Sequence, residues 1–369
     1  MQEWEITVEE LRRSLERGEE IVLLDVRSAE DRREWFIPGS VHRDIYALLK
    51  SGDASALQDF SVTAESPVVV VCNRGRTSMV AVELLRKQGI PAVSLRGGMQ
   101  AWSLAWNLAA VPLGSDGVQV HQVRRTGKGC LSYLVASAGE AAVIDASVEV
   151  DVYLELAERG GWRITRVLET HVHADHLSRG RALAEATGAT LHLPEQKRVK
   201  FGFSPLGNGD LIGVGKATIE VLAVPGHTIE SACYLLDGKA LFTGDTLFLE
   251  SVGRPDLASE ADRETRERAA LLYRSLRRIA ELPGETVVLP GHTASPVPFD
   301  GNPLMASLRE VLDRVQLLAL SEDQFVQEIL SRIPPPPSNY LEIVRLNEEG
   351  ASVDDPSVLE AGANRCAVA

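Results

Sequence analysis

Thr170-His171-Val172-His173-Ala174-Asp175-His176 comes straight after the apolar, β-branched run Ile164-Thr165-Arg166-Val167-Leu168, and residues 177–187 have the spacing of a helix. Three of the chain's eight histidines and a carboxylate thus crowd one strand-to-helix turn. Open α/β sheets place ligands in crevices at the carboxyl ends of their strands. Neutral imidazole together with carboxylate suits zinc or iron, whereas magnesium and calcium call for oxygen ligands. A merely polar helix start would leave the pattern a coincidence, because the same placement recurs downstream. Strand 218–224 delivers Pro225-Gly226-His227-Thr228, strand 240–244 delivers Asp245, and Val287-Val288-Leu289 runs into Pro290-Gly291-His292. One sheet rim is therefore predicted to gather His171, His227, Asp245 and His292 around metal. His192, in mid-strand, together with His42 and His121, reads as core or surface.

Upstream the chain alternates strands and helices, which predicts a parallel α/β sheet. Residues 6–17 have one apolar face, and residues 21–26 and 67–71 are short apolar runs of the buried-strand kind. The second of these runs ends on Cys72, followed by the loop Asn73-Arg74-Gly75-Arg76-Thr77-Ser78 and a predicted helix over 79–88. A thiol between a strand end and a helix N-terminus faces amide N–H groups and the positive end of a helix dipole, which both favour thiolate. Arg74 and Arg76 add positive charge and attract anions. Such a sulfur can carry a transferred sulfur atom as a persulfide.

The length, 369 residues, implies two domains with an appendage. Residues 1–110 form the first, 111–117 a Pro/Gly/Ser-punctuated linker, 118–300 the metal domain, and 301–369 a helical and extended tail expected to pack back on it. The tail is read as helices over 302–319 and 322–331, a stop at Pro334-Pro335-Pro336-Pro337, and a loose end including Cys366. The formal net charge of −14 argues against nucleic-acid or anionic-membrane partners. Four widely spaced cysteines are no disulfide framework. With no apolar start and no run of membrane-spanning length, a cytoplasmic location is expected. Cys130, Cys233 and Cys366 read as structural or unassigned. The oligomeric state is left open, a homodimer being one option.

Two resemblances sharpen these expectations. Leu24-Asp25-Val26-Arg27, Ile37-Pro38-Gly39-Ser40, the Cys72 loop and Leu95-Arg96-Gly97-Gly98-Met99-Gln100-Ala101-Trp102 resemble, in order, the rhodanese domain. That implies a sulfurtransferase with Cys72 as nucleophile and residues 73–78 as the cradle of a persulfide or anion. Trp35-Phe36 depart from the family's usual Gly-His, and Thr77 stands where the loop commonly ends in arginine.

The His-x-His-x-Asp-His turn with Pro-Gly-His-Thr, Gly-Asp and the last Gly-His resembles the metallo-β-lactamase fold, an αββα sandwich with metal at one edge. Phe242-Thr243-Gly244-Asp245-Thr246-Leu247-Phe248 with Gly253-Arg254-Pro255-Asp256 is similar to the persulfide dioxygenase, glyoxalase II-like, branch. The resemblance implies one Fe(II) per chain on His171, His227 and Asp245. His173, Asp175, His176 and His292 would surround these ligands or hold a second metal, and Arg254 would brace the site through Asp256. The implied reaction oxidises a small thiol persulfide, glutathione persulfide in the family's usual case, with O₂ to sulfite, and Cys72 exchanges sulfur with thiosulfate, sulfite or a thiol. The competing reading is a dinuclear zinc thioester hydrolase of glyoxalase II type with an accessory sulfur-binding domain. A third makes the first domain a persulfide-sensing or delivery module.

Overall fold

The computed structural model describes residues 4–62, 67–114, 117–257, 261–337 and 339–368. The first domain is a five-stranded, wholly parallel sheet in the order Glu5–Ile6, Ala92–Leu95, Val68–Val71, Val22–Asp25, Val41–His42. Val68 to Val71 are buried on both faces, so the run is continuously apolar rather than alternating. The helix Val8–Glu16 begins at Thr7, whose side chain accepts the Glu10 N–H while Glu10 returns the bond.

The second domain packs two sheets face to face. One runs Ser204–Leu206, Thr190–Pro194, Arg163–Leu168, Glu140–Ile144, Cys130–Ser137, Val118–Arg125, Asn107–Val111. The other runs Leu211–Val214, Ala217–Ala223, Ala232–Leu236, Ala240–Gly244, Val287–Pro290, Ala306–Ser307. Tyr133, Val135 and Ile144 meet Val221, Tyr234 and Phe242 between the sheets. The opposite face of the first sheet, with Leu134 and Val143, packs under the helices Val150–Gly160 and Gly180–Thr187. That of the second sheet packs under Asp262–Ile279 and Glu322–Ser331. This is the expected αββα sandwich.

Four expectations change. The boundary lies earlier than residue 110, because Asn107–Val111 pairs antiparallel with Val118–Arg125 and belongs to the second domain's sheet. Of the linker 111–117, Ser115 and Asp116 lie outside the described residues. Residues 302–319 are not one helix. Ala306–Ser307 first pairs with Val287 and Val288, and Ser307 then caps the shorter helix Leu308–Arg314 with Glu310.

The helix after the histidine turn starts at Gly180. Upstream of it, the Leu177 and Ser178 N–H groups are taken by Glu360 and Asn347 from the tail, which holds the turn open. The C-terminal end is not loose. Ala367–Val368 pairs with Val252–Gly253, and Cys366 is buried.

The two domains are closely fitted. The Trp35 indole N–H donates to the Thr126 carbonyl, and the Arg125 guanidinium donates to the Ser103 carbonyl. Gly127 approaches so closely that a Cβ there would lie 1.8 Å from the Trp102 carbonyl oxygen. Trp35 is one of the departures from the rhodanese pattern, and its position explains it as a domain contact.

Candidate active site

Cys72 ends the Val68–Val71 strand and faces the start of the helix Arg76–Lys87. Its Sγ accepts the Gly75 N–H at 3.1 Å and lies 3.2 Å from the Ser78 hydroxyl, which is 2.7 Å from that of Ser94. The loop is clamped on Gly98, where a Cβ would come within 2.2 Å of the Cys72 carbonyl oxygen, and the Met99 N–H bonds that carbonyl. Arg74 and Arg76 are exposed at the mouth. A sulfur held by an amide and a hydroxyl at a helix start is a nucleophile geometry.

The histidines sort into three groups. In the first, one ligand atom each of His171, His227 and Asp245 lies within 4.8 Å of the others, all buried. His171 Nδ1 is 2.9 Å from the Thr170 hydroxyl, whose own proton goes to Asp145 at 2.8 Å. Nδ1 is therefore the protonated nitrogen, and Nε2 presents a lone pair. His227 Nδ1 donates to the Arg254 carbonyl at 2.8 Å, again freeing Nε2, which lies 3.7 Å from Asp245 Oδ2. Both imidazoles are held neutral, first by burial and, for His171, by the neighbouring His173 charge. Asp245 is held ionised: burial pushes its pKa up, but the charge and hydrogen bond of His292 pull it below the usual range. His171 Nε2 and Asp245 Oδ2 are buried without a hydrogen-bond partner. Converging, unpartnered donor atoms of this kind fit a metal ion.

In the second group Cys130, Asp175, His176 and His292 each offer an atom within 4.8 Å of the others. His292 joins the two groups, with Nδ1 2.5 Å from Asp245 Oδ1 and Nε2 2.8 Å from Asp175 Oδ2. The Cys130 thiol donates to Asp175 at 3.3 Å. Burial and Asp175 push that thiol's pKa up, but the charges of His176 and His292 prevail and lower it to about 7. In the third, His173 Nε2 sits 3.2 Å from Asp145 and 3.1 Å from Glu169, which turns it away from the first group. Those two carboxylates raise its pKa well above the ordinary value, against burial. Asp256 holds Arg254 by two 2.8 Å contacts, so the brace on His227 runs through the Arg254 backbone.

Sequence reasoning missed Asp145, Glu169 and Cys130. Asp145 carried a signal, since it ends a strand as the ligand-type residues do, and it adopts a positive φ of 52°. Cys130 and Cys366, read as structural, border the cluster, Cys366 lying near Asp245 and His292. Among the described residues His192 joins no such group, and it is buried. His42 bonds the Arg27 carbonyl, and His121 packs on Trp162.

Residues 125–292 match the metallo-beta-lactamase superfamily model, and residues 7–105 match the rhodanese-like domain. A hydroxyacylglutathione hydrolase of Methylococcus capsulatus is 35% identical over 201 residues, 53% of this chain and 75% of that protein. The chain belongs to the metallo-β-lactamase superfamily. A rhodanese-like domain precedes that fold. A hydroxyacylglutathione hydrolase of Rhizobium johnstonii is 38% identical over 42% of this chain, which spans 57% of that relative's length.

Among solved structures, ETHE1 from Myxococcus xanthus superposes with a TM-score of 0.56 at 30% identity, over 63% of this chain and 99% of that one. A Staphylococcus aureus metallo-beta-lactamase gives a TM-score of 0.58 at 26% identity, over 65% of this chain and 75% of that one. The fold and its buried ligand-type groups make this a metal-binding enzyme of the superfamily. No helix among the described residues is long and apolar enough to cross a membrane.

Proposed function

We propose that the chain oxidises a low-molecular-weight thiol persulfide with O₂ at a single Fe(II), and that Cys72 exchanges sulfur with the same pool. The balanced reaction is R-S-SH + O₂ + H₂O → R-SH + SO₃²⁻ + 2 H⁺, in which four electrons pass from the terminal sulfur to O₂. The observation that carries this reading is the convergence of two imidazoles and one carboxylate, His171, His227 and Asp245, with His173 Nε2 on Asp145 and Glu169 and His292 Nδ1 on the other oxygen of Asp245. Two histidines and a carboxylate leave coordination positions open for substrate and O₂, the pattern of non-haem iron oxygenases. Iron held by these residues would supply the binding of O₂ and the transfer of electrons to it.

The protein's part is orientation. Thr170 and the Arg254 carbonyl fix the two imidazole tautomers. His292, held cationic between Asp245 and Asp175, aims Asp245 Oδ2 at the centre. A cavity of about 190 Å³ opens beside His171 and His173, with Leu191, Val199 and Phe201 on its apolar side, and is suited to the organic part of a thiol. The likeness to ETHE1 and the presence of a sulfur-carrier loop on the same chain support sulfur chemistry.

The second reading is hydrolysis of a thioester by two zinc ions. It is favoured by the Cys130, Asp175, His176 and His292 cluster, where His176 Nε2 is also unpartnered, and by the names of the curated relatives. Supplying the purified protein with glutathione persulfide or with S-lactoylglutathione separates the two. O₂ consumption matched one-to-one by sulfite is expected with the first substrate and no O₂-independent turnover with the second; the reverse pattern would replace the dioxygenase by the hydrolase.

A further inference from the structure

We propose that Asn347, on the C-terminal helix Tyr340–Glu349, is a positioning residue of the metal centre, its side-chain amide setting the path of the backbone that carries Asp175 and the histidines beside it. The inference rests on the metal site proposed above at His171, His227 and Asp245, and not on which of the two reactions takes place there.

The histidine turn has no regular structure of its own. Between the strand that ends at Leu168 and the helix that starts at Gly180, backbone N–H and C=O groups have no ladder or helix partner and must be met from elsewhere. Asn347 meets three of them. Its Oδ1 accepts the Ser178 N–H at 2.9 Å, and its Nδ2 donates to the His173 and His176 carbonyls, each at 2.8 Å. A backbone N–H can only donate and a carbonyl only accept, so these partners allow the amide a single orientation.

Those bonds bracket the ligand-type residues. The two carbonyls flank Asp175 in the chain, and His171 stands two residues before the first of them. Asp175 Oδ2 lies 2.8 Å from His292 Nε2, and His292 Nδ1 lies 2.5 Å from Asp245 Oδ1. Where Asn347 holds the turn therefore decides where Asp175 meets His292 and, through His292, how Asp245 is turned.

The helix brings an amide to this place. Ile343 and Leu346 are buried with Leu177, and position 347, four residues after Ile343, continues the same stripe. Packing alone would call for an apolar residue there, whereas three backbone groups of the turn call for an amide. Asn347 also lines the cavity beside His171 and His173 and is only half-buried, so water can reach the turn when its side chain is shortened. The other side of the centre leans on the tail as well. Arg254, whose carbonyl holds His227, donates its guanidinium to the Pro334 carbonyl at 2.7 Å and the Arg365 carbonyl at 3.0 Å.

The test is the affinity and the visible absorption of Co(II) bound to the full-length protein, with affinity read by competition against a chromophoric chelator. Asn347→Ala is expected to weaken Co(II) binding about 10- to 100-fold, as loss of an orienting partner does, and to shift the absorption, because the geometry around the ion changes. Asn347→Asp keeps the shape but turns a carboxylate oxygen on two carbonyls, and is expected to weaken binding at least as much. Native affinity and absorption in either variant would reduce Asn347 to a docking contact of the helix and overturn the proposal.

Leu346→Ala separates positioning from stability. It removes buried packing from the same helix and no side-chain hydrogen bond to the turn, so it should lower the melting temperature and leave Co(II) affinity and absorption native. An equal loss of affinity in Leu346→Ala would assign the effect to helix docking in general and overturn the proposal, as would failure of both Asn347 variants to fold with metal bound. The measurements are made without O₂ and without persulfide. A failed oxidation assay therefore leaves their outcome standing, and their failure leaves the oxidation assay standing.

Discussion

His292 and Asp245 are joined by a 2.5 Å contact between Nδ1 and Oδ1, which leaves the second oxygen of Asp245 free and unpartnered. One histidine thereby decides how one carboxylate would face the proposed metal. His292→Gln keeps some polarity but not the geometry. It is expected to weaken metal binding about 10- to 100-fold, as removal of orienting partners does, while one metal per chain is still bound at saturation. Competition with a chromophoric chelator measures this. Loss of a second metal ion, rather than weaker binding of a single one, would assign His292 as a ligand.

Thr170 relays between Asp145 and His171 through its hydroxyl. Thr170→Val is nearly isosteric and removes only that relay, so the His171 tautomer is no longer fixed. A loss of metal affinity again about 10- to 100-fold is expected, with melting of the metal-free protein changed by no more than about 1–3 kcal/mol for the Asp145 acceptor left behind.

Glu360 is fully buried between Arg125, at 2.6 Å, and Arg179, at 2.7 Å, and ties the tail to the histidine turn through the Leu177 N–H. Burial alone would raise its pKa, but the two guanidinium groups prevail and lower it from 4.5 to about 2. A carboxylate with a depressed folded pKa contributes its stability above the unfolded value, and that contribution fades as pH falls from about 4.5 towards about 2. Glu360→Gln leaves the buried Arg125 without a counter-charge and Arg179 with only Glu149, at 3.7 Å, and should cost about 3–5 kcal/mol at neutral pH. The gap between wild type and variant, followed by denaturant melts, should narrow below pH 4.5. A gap independent of pH would mean that the ion pairs contribute nothing.

Cys72 and the metal cluster stand on separate domains. Cys72→Ala should abolish thiosulfate-to-thiol sulfur transfer and leave O₂ uptake with supplied persulfide intact. Loss of both would contradict separable sites.

The ligand-type residues were legible because each ends an apolar strand, and strand ends converge on one rim whatever the loops do. Cys72 was legible for the same reason. What could not be read was how the rim divides. His171 and His173 are two residues apart, yet one faces Asp245 and the other turns to Asp145 and Glu169, because those carboxylates arrive from other points along the chain. The tail was misjudged because its anchors are single polar contacts with distant residues. Glu360 reaches Arg125 across 235 positions, and Asn364 reaches Asp175 across 189, and no local periodicity encodes such contacts. Trp35 looked like a departure from a motif and proved to be part of the domain seam.

The most direct test of the central claim is metal content per chain on anaerobically purified protein, measured together with O₂ uptake on adding glutathione persulfide. The account predicts one iron per chain, prompt uptake and release of sulfite. Two zinc ions per chain, with no uptake after iron reconstitution, would contradict it.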